Sequence, residues 1–452
     1  MKKVISIALA LLMVAVMLPV MAMAADDTAL PAADANGVIK LENNVTLSSF
    51  AKIEGNMKLD LNGHTITCTN NWAIVVAQYG KLTVVDSSPA GTGAIVCTGG
   101  QETARTAIFG GDYTGIIIEG GHIKGVDYGV VLMGKSSSLT VNGGVIEGGD
   151  AAISGNGSLD ETTKQPLYGD TQIKINGGKV IGGNTGIYQP QDGDLTINNG
   201  EITGKTGIEV RAGRLAVKGG AITATGTTLT VNQNGSGGTT EGAAIAIAQH
   251  TTKLGIAVTI EGGTLTGVAA LNEANPQSNP DDATRNISVN VSGGTFNGAV
   301  NKAEDGSYLG VMGGTFNTAV RPYADGNLVV TDGSNYFVGR DAINAVQEAE
   351  SGEFTVVDAP SDEILNFQNV KPGVKVKNEQ QNSRIIVNGN EVPNGGSYTV
   401  PGAPIIIYTP TEDTSKADNQ KNPSTGANDF VGVAAAMAVV SLLGAAAVIR
   451  KK

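Results

Sequence analysis

Two cysteines, three histidines and one tryptophan in 452 residues set the first limits. Two thiols exclude a disulfide-rich scaffold and any thiolate zinc site. So few His and Trp residues are unusual for an enzyme of this size. The Gly-X-Y period of collagen is absent although the chain holds 63 glycines, and an apolar content of 41% is too high for disorder. The chain therefore folds, with Gly at regularly repeated turns. Basic residues are also scarce, 30 against 42 acidic ones. Such a surface repels phosphate backbones, which excludes nucleic acid as a partner and leaves cations and neutral glycans.

Long apolar runs occur only at the two ends. Lys2 and Lys3 precede an apolar stretch from Val4 to Val20, and Ala22-Met23-Ala24 supplies small residues for cleavage. Residues 1–24 thus read as a secretory signal. At the other end Asn422-Pro423-Ser424-Thr425-Gly426 is followed by an apolar run from Phe430 to Ile449 and then Arg450-Lys451-Lys452. A run of that length spans a bilayer, with the terminal cations on the cytoplasmic side. The order of pentapeptide, apolar span and basic tail resembles the LPXTG-type cell-wall sorting signal of Gram-positive surface proteins, with Asn422 in place of the usual Leu. The resemblance implies sortase cleavage between Thr425 and Gly426 and linkage of Thr425 to peptidoglycan. It makes sortase and peptidoglycan the expected partners, with membrane contact only through the unprocessed helix 430–449. A mature chain from about Ala25 to Thr425 would carry 25 basic and 41 acidic residues, a net charge of −16.

Between the ends one phrase recurs. It reads IIIEGGHIKG from Ile116, LTVNGGVIEG from Leu139, IKINGGKVIGG from Ile173, LTINNGEITG from Leu195 and LAVKGGAITATG from Leu215. It continues as VTIEGGTLTG from Val258, VNVSGGTFNG from Val289 and LGVMGGTFNT from Leu309. The first Gly of the doublet falls at 120, 143, 177, 219, 262, 293 and 313, with Asn199 once in its place; the shortest steps are 20, 20, 22 and 23 residues. Each unit offers a short alternating strand, a Gly-Gly corner, a second strand and a third such as Gly207–Val210. Val, Ile, Leu and Thr at alternate positions suit a half-buried pleated surface, and Gly accommodates positive-φ corners. Three short strands in some twenty residues predict a parallel β-helix, in which coils share a core that no single coil could bury. A propeller blade would need about 40 residues, and leucine-rich repeats a different Leu and Asn spacing.

The opening coils, from Val38 to Thr98, contain LDLNGHTITC from Leu59 and LTVVDSS from Leu82. These strands resemble the first rungs of pectate-lyase-like β-helix surface proteins and adhesins of Gram-positive bacteria, over about residues 36 to 338. The expected fold is all-β: a right-handed parallel β-helix of about a dozen coils over residues 25–340. At roughly 4.8 Å per rung it would be about 55–60 Å long. Cys68 and Cys97 share a register one coil apart and should point inward and stack, as buried thiols or as a disulfide.

After Phe337 the pattern stops. Asp341–Glu350 reads as a helix that Asp341 could cap, with strands around Phe354–Val357, Val374–Val376, Arg384–Val387 and Ile405–Tyr408. A small α+β domain over 341–408 would cover the last coil, whose open edge would otherwise recruit other strands. Residues 409–421 lack apolar periodicity and read as a flexible linker, and residues 422–452 hold the sorting signal.

Three constellations carry candidate chemistry. Gly129–Ser136 matches the phosphate-loop pattern, but its centre is an apolar strand and another strand follows where a helix is needed, so the match is accidental. Polysaccharide cleavage requires paired carboxylates, or bound calcium with a base. The best local set is Asp192, Asp194, Glu209, Arg211 and Arg214, which coil register places on one wall beside Tyr188 and Pro190. It equally reads as a solvated charged corner. No cofactor is expected, although calcium is compatible with this set. Third, residues 155–170 and 272–285 are insertions leaving the coil at the same corner, as loops on a binding face do; they are also polar enough to be tolerated length variation. Tyr168, Tyr188, Asp192, Asp194, Arg211 and His250 would share that side, where rings and carboxylates suit sugars. Asn142, Asn176 and Asn198 precede successive corners in register and are expected to form a hydrogen-bonding ladder. The reading is a wall-anchored surface protein, an adhesin or glycan-binding stalk for host, plant or bacterial glycans or a surface protein. A wall-bound polysaccharide lyase or hydrolase, and a spacer without ligand, are the competing classes.

Overall fold

The computed structural model describes residues 28–402 apart from 101–103, 234 and 236. The secretory signal, the strand expected at Ile405–Tyr408, the linker and the sorting signal with its apolar run lie outside the described residues. Among the described residues, no helix is long and apolar enough to cross a membrane.

The described residues are nearly all-β, a solenoid in which each strand from Val38–Lys40 to Glu201–Gly204 pairs in parallel with the third strand after it. Gly115–Ile118 lies against Ser138–Val141, His122–Gly125 against Val145–Gly148, and Tyr128–Leu132 against Ala151–Ser154. These pairs define a first, a second and a third face. On the first face Ile116, Leu139, Ile173, Leu195, Leu215, Val258 and Val289 succeed one another in register. All are buried in one continuous core running from Ile39 to Val338. The alternation of apolar and polar residues predicts this column, because side chains one apart point to opposite sides of a strand.

The Gly-Gly corner has a measurable cause. Gly144 has φ +78°, and a Cβ there would stand 2.5 Å from the carbonyl oxygen of Gly121 on the preceding coil. Coil spacing leaves no room for a side chain, and the backbone angle disfavours one. Outside these corners the Asn ladder forms as expected. Asn198 Nδ2 donates to Asn176 Oδ1 (2.7 Å), Asn176 Nδ2 to Asn142 Oδ1 (2.8 Å), and Asn142 Nδ2 to Glu119 Oε1 (2.9 Å).

The third face departs from strict alternation. From the second coil on its strands turn two consecutive residues inward: Ala73-Ile74, Ala107-Ile108, Ala152-Ile153 and Ala244-Ile245 belong to the core, and Gly129-Val130, Gly186-Ile187 and Gly207-Ile208 hold the same places. The residues on either side of each pair consequently face out.

Cys68 and Cys97 are register partners, buried and unbridged. Cys68 Sγ donates to Trp72 O (3.0 Å) and Cys97 Sγ to Asn70 O (3.1 Å). Burial pushes both thiols up, Cys97 to about 11.

The stack of solenoid coils ends at Tyr308–Phe316, whose free edge is taken antiparallel by Tyr336–Val338. A second core, from Leu328 to Val400, then gathers helix Arg340–Glu348 with the strands Gly352–Asp358, Ile364–Phe367, Val374–Asn378 and Arg384–Val387. The strand at Ile364–Phe367 has no counterpart in the sequence reading. Asp341 does not cap the helix. It sits inside the first turn behind Gly339, and its Oδ2 accepts the amide of Gly314 (2.6 Å). The carboxylate thus ties the helix to the last Gly-Gly corner rather than to its own N-terminus.

Candidate functional site

On the third face Tyr128, Ala151 and Thr185 follow one another coil by coil. Beside them run Val131, Ser154, Tyr188 and Glu209. Two segments wall this surface. Residues 155–170 leave the coil after Ser154, and residues 226–242 leave it after the second-face strand Ala221–Ala224. The latter strap folds on itself through the antiparallel pair Thr230-Val231 and Thr240-Glu241. Between the walls lies a cavity of about 380 Å³ lined by Tyr128, Asp150, Ser154, Thr185, Tyr188 and His250, with Gly155–Ser158 on one side and Gly237-Gly238 on the other.

The lining is polar. Tyr128 donates its hydroxyl to Asp150 Oδ2 (3.0 Å), and Asn184 Nδ2 holds Oδ1 of the same carboxylate (3.0 Å). Burial, reinforced by the Asp150 charge, raises the Tyr128 hydroxyl above the usual phenol range. Burial also pushes Tyr188 up to about 12, against the pull of the Arg211 cation. His250 is driven down to about 4, first by burial and then by Arg211. The ring is therefore neutral at ordinary pH. Its Nδ1 accepts the amide of Thr252 (3.4 Å), so the proton resides on Nε2. Phenols, hydroxyls, a neutral imidazole and one carboxylate form a set of weakly charged donors and acceptors around two rings.

Glu209 and Arg211 lie sealed behind this lining, each without exposed surface. The strap grips Glu209: Thr239 donates its amide (2.8 Å) and hydroxyl (2.8 Å) to Oε1, and the Thr240 amide reaches Oε2 (3.3 Å). Burial raises the Glu209 pKa against these bonds. Arg211 Nε donates to Ala248 O (3.1 Å), Nη1 to Gly237 O (2.5 Å), and the guanidinium stands 4.0 Å from Glu209. Nη2 is left without a hydrogen-bond partner.

This geometry corrects the expectation that Asp192, Asp194, Glu209, Arg211 and Arg214 share one wall. Arg214 binds Asp194 and, at 3.5 Å, Asp192, and all three side chains stand exposed, away from the cavity. Glu209 and Arg211 are the opposite case, a buried pair that no ligand reaches. Tyr188 and His250 line the cavity; Tyr168 is half-buried and stands outside it. Insertion 272–285 backs His250 rather than lining the site. Asn279 Nδ2 donates to His250 O (3.1 Å) and Gln277 Nε2 to Gly235 O (3.0 Å).

Sequence reasoning missed Tyr128, Asp150, Ser154 and Thr185. Strict alternation puts Tyr128 on the same side as Val130 and Leu132; only the paired inward residues turn it out. The strap was visible as the step of 43 residues between Gly219 and Gly262, but not the corner it leaves from. The phosphate-loop-like segment Gly129–Ser136 is a strand and a turn followed by strand Ser138–Val141, with no helix to meet an anion. Among the described residues, no group of three or more His, Cys, Asp or Glu side chains is arranged to hold a metal ion. No protein family, curated protein or solved structure matches the chain.

Proposed function

We propose that this chain is a cell-surface glycan-binding protein, an adhesin or binding stalk. Its body is a right-handed parallel β-helix closed by the small α+β domain 341–408. The end signals address it: secretion through residues 1–24, then sortase attachment to peptidoglycan at Thr425. The observation that carries the binding role is the cavity between residues 155–158 and the strap. Tyr128 and Tyr188 offer apolar ring area with polar tips, and Asp150, Ser154, Thr185 and His250 supply hydrogen-bonding groups. A sugar presents the complement, apolar ring faces edged with hydroxyls. Hydrolysis is less well supported, since it calls for two carboxylates flanking the scissile bond and Asp150 is the one carboxylate on the lining.

The test is a glycan-array measurement on the full-length protein and its Tyr188→Ala variant, with reducing ends assayed in parallel. Saturable binding without products, lost in the variant, is the expected result. New reducing or unsaturated ends would replace the adhesin reading by an enzymatic one. Binding unchanged in the variant would move the site elsewhere.

A further inference from the structure

Aromatic residues make up 4% of this chain, and its one tryptophan is on the surface. Trp72 is 37% exposed and Phe50 42% exposed. The two rings meet edge to face at 6.1 Å, and Phe109 lies 5.5 Å from Trp72 on the next coil. Beside them, at the corner between the third and first faces, Tyr79 and Tyr113 stack at 5.1 Å with 67% and 43% exposure. A buried aromatic ring is among the largest sources of hydrophobic stabilisation. Several rings held together in water therefore point to a contact surface rather than to packing.

The position of these rings relative to the cavity is set by register. Phe109, Val131, Ser154 and Tyr188 occupy one outward column on successive coils. Trp72, Thr106, Tyr128, Ala151 and Thr185 occupy the other. The side chains between the two aromatic ends, Thr106, Val131, Ala151 and Ser154, are small and buried, lying low between the larger rings. The face is thus a straight track along the solenoid axis, with exposed rings at one end and the polar cavity at the other. Four coil steps separate Trp72 from the coil of Tyr188, about 19 Å at roughly 4.8 Å per step.

We infer that Phe50, Trp72 and Phe109 form a distal subsite for the ligand of the cavity, and that this ligand is a neutral polysaccharide lying along the axis. The inference rests on the glycan-binding reading above and extends it to chain length and direction. Charge argues for neutrality, because the chain carries a net charge of −12 and the cavity lining holds no exposed cation. The rings argue for pyranoses with equatorial substituents, which present apolar C–H faces to an aromatic surface. A disaccharide fills the cavity alone; a longer chain reaches both ends.

Trp72 is the chain's one tryptophan, so its fluorescence reports on the platform without interference. The experiment titrates the full-length protein with cello- and chito-oligosaccharides from disaccharide to hexasaccharide. Disaccharides are expected to bind without changing Trp emission; hexasaccharides should bind at least tenfold more tightly and shift it. Trp72→Ala should reduce hexasaccharide affinity to the disaccharide level and leave disaccharide affinity unchanged, and Trp72→Phe should restore most of the gain. Tyr188→Ala should weaken every length. Hexasaccharide binding with unaltered emission and no effect of Trp72→Ala would overturn the distal subsite and leave the cavity reading standing. Tight binding with an emission shift that survives Tyr188→Ala would break the continuity of the track and remove the cavity from the site. No binding at any length would overturn both.

Discussion

Tyr188 and Glu209 are register partners on adjacent coils, yet Tyr188 opens onto the cavity while Glu209 has no exposed surface. The strap makes the difference. Thr239 and Thr240 cross over Glu209 and stop short of Tyr188, so equivalent outward positions become a ligand-facing ring and a sealed carboxylate. Several expectations depend on that boundary.

Removing Glu209 should cost far more than removing an exposed carboxylate. Glu209→Ala leaves Arg211 buried without its anion, for a loss of about 3–5 kcal/mol, and Glu209→Gln, which keeps an acceptor for Thr239, should cost less. Thermal or urea unfolding measures the totals. Hydrogen exchange at residues 237–241 should rise first, because the strap loses its anchor.

The exposed cluster should behave in the opposite way. Arg214→Ala separates the guanidinium from Asp194 and Asp192 in a solvated setting, worth less than about 1 kcal/mol. Stability and glycan binding should both stay at the parent level. A clear loss of binding would bring the corner back into the site.

Glu273 should make stability depend on pH. It is 2% exposed with Oε1 unpartnered. Burial, assisted by Asp305 and opposed by the Ala303 amide, raises its pKa from 4.5 to about 7. The folded state therefore holds the proton more tightly than the unfolded chain. The contribution is full below about pH 4.5 and is lost as pH rises through about 7, on the order of 3 kcal/mol in all. Glu273→Gln should match the parent near pH 4.5 and exceed it at pH 8. Parallel melting curves at the two pH values decide this.

His250 has the reverse sign. Its folded pKa of about 4 lies below the ordinary 6.5, so its contribution is present above 6.5 and declines as pH falls toward 4. Glycan affinity should accordingly be flat from pH 8 to about 5 and drop below that, as the ring charges beside Arg211. Titration by calorimetry at four pH values would show it, and a midpoint near 6.5 would mean that His250 is not desolvated.

The proposed wall attachment makes its own prediction. Pro423→Ala or Thr425→Ala should shift the protein from the covalent wall fraction to the membrane fraction without altering glycan binding, read by fractionation after muramidase digestion. Unchanged wall linkage would remove the sortase reading.

Much of the scaffold was legible before any coordinates. Alternation in phrases such as LTVNGGVIEG and the recurring Gly doublets encode strand, corner and stacking locally, residue against residue one coil away. The register of Tyr188 with Glu209 and of Cys68 with Cys97 followed from the same repeat. The cap was harder: Ile364–Phe367 follows no repeat, and Asp341, read as a helix cap, instead accepts a bond from Gly314 on another element.

The sequence by itself determined the strand order, the core columns and the Asn ladder, because each is written in neighbouring residues or in a recurring phrase. Only the tertiary structure decided which charges are exposed. Where the strap crosses the third face depends on contacts between residues some thirty positions apart, such as Thr239 with Glu209. Those contacts sealed Glu209 and left Tyr188 open to the cavity that Tyr128 also lines.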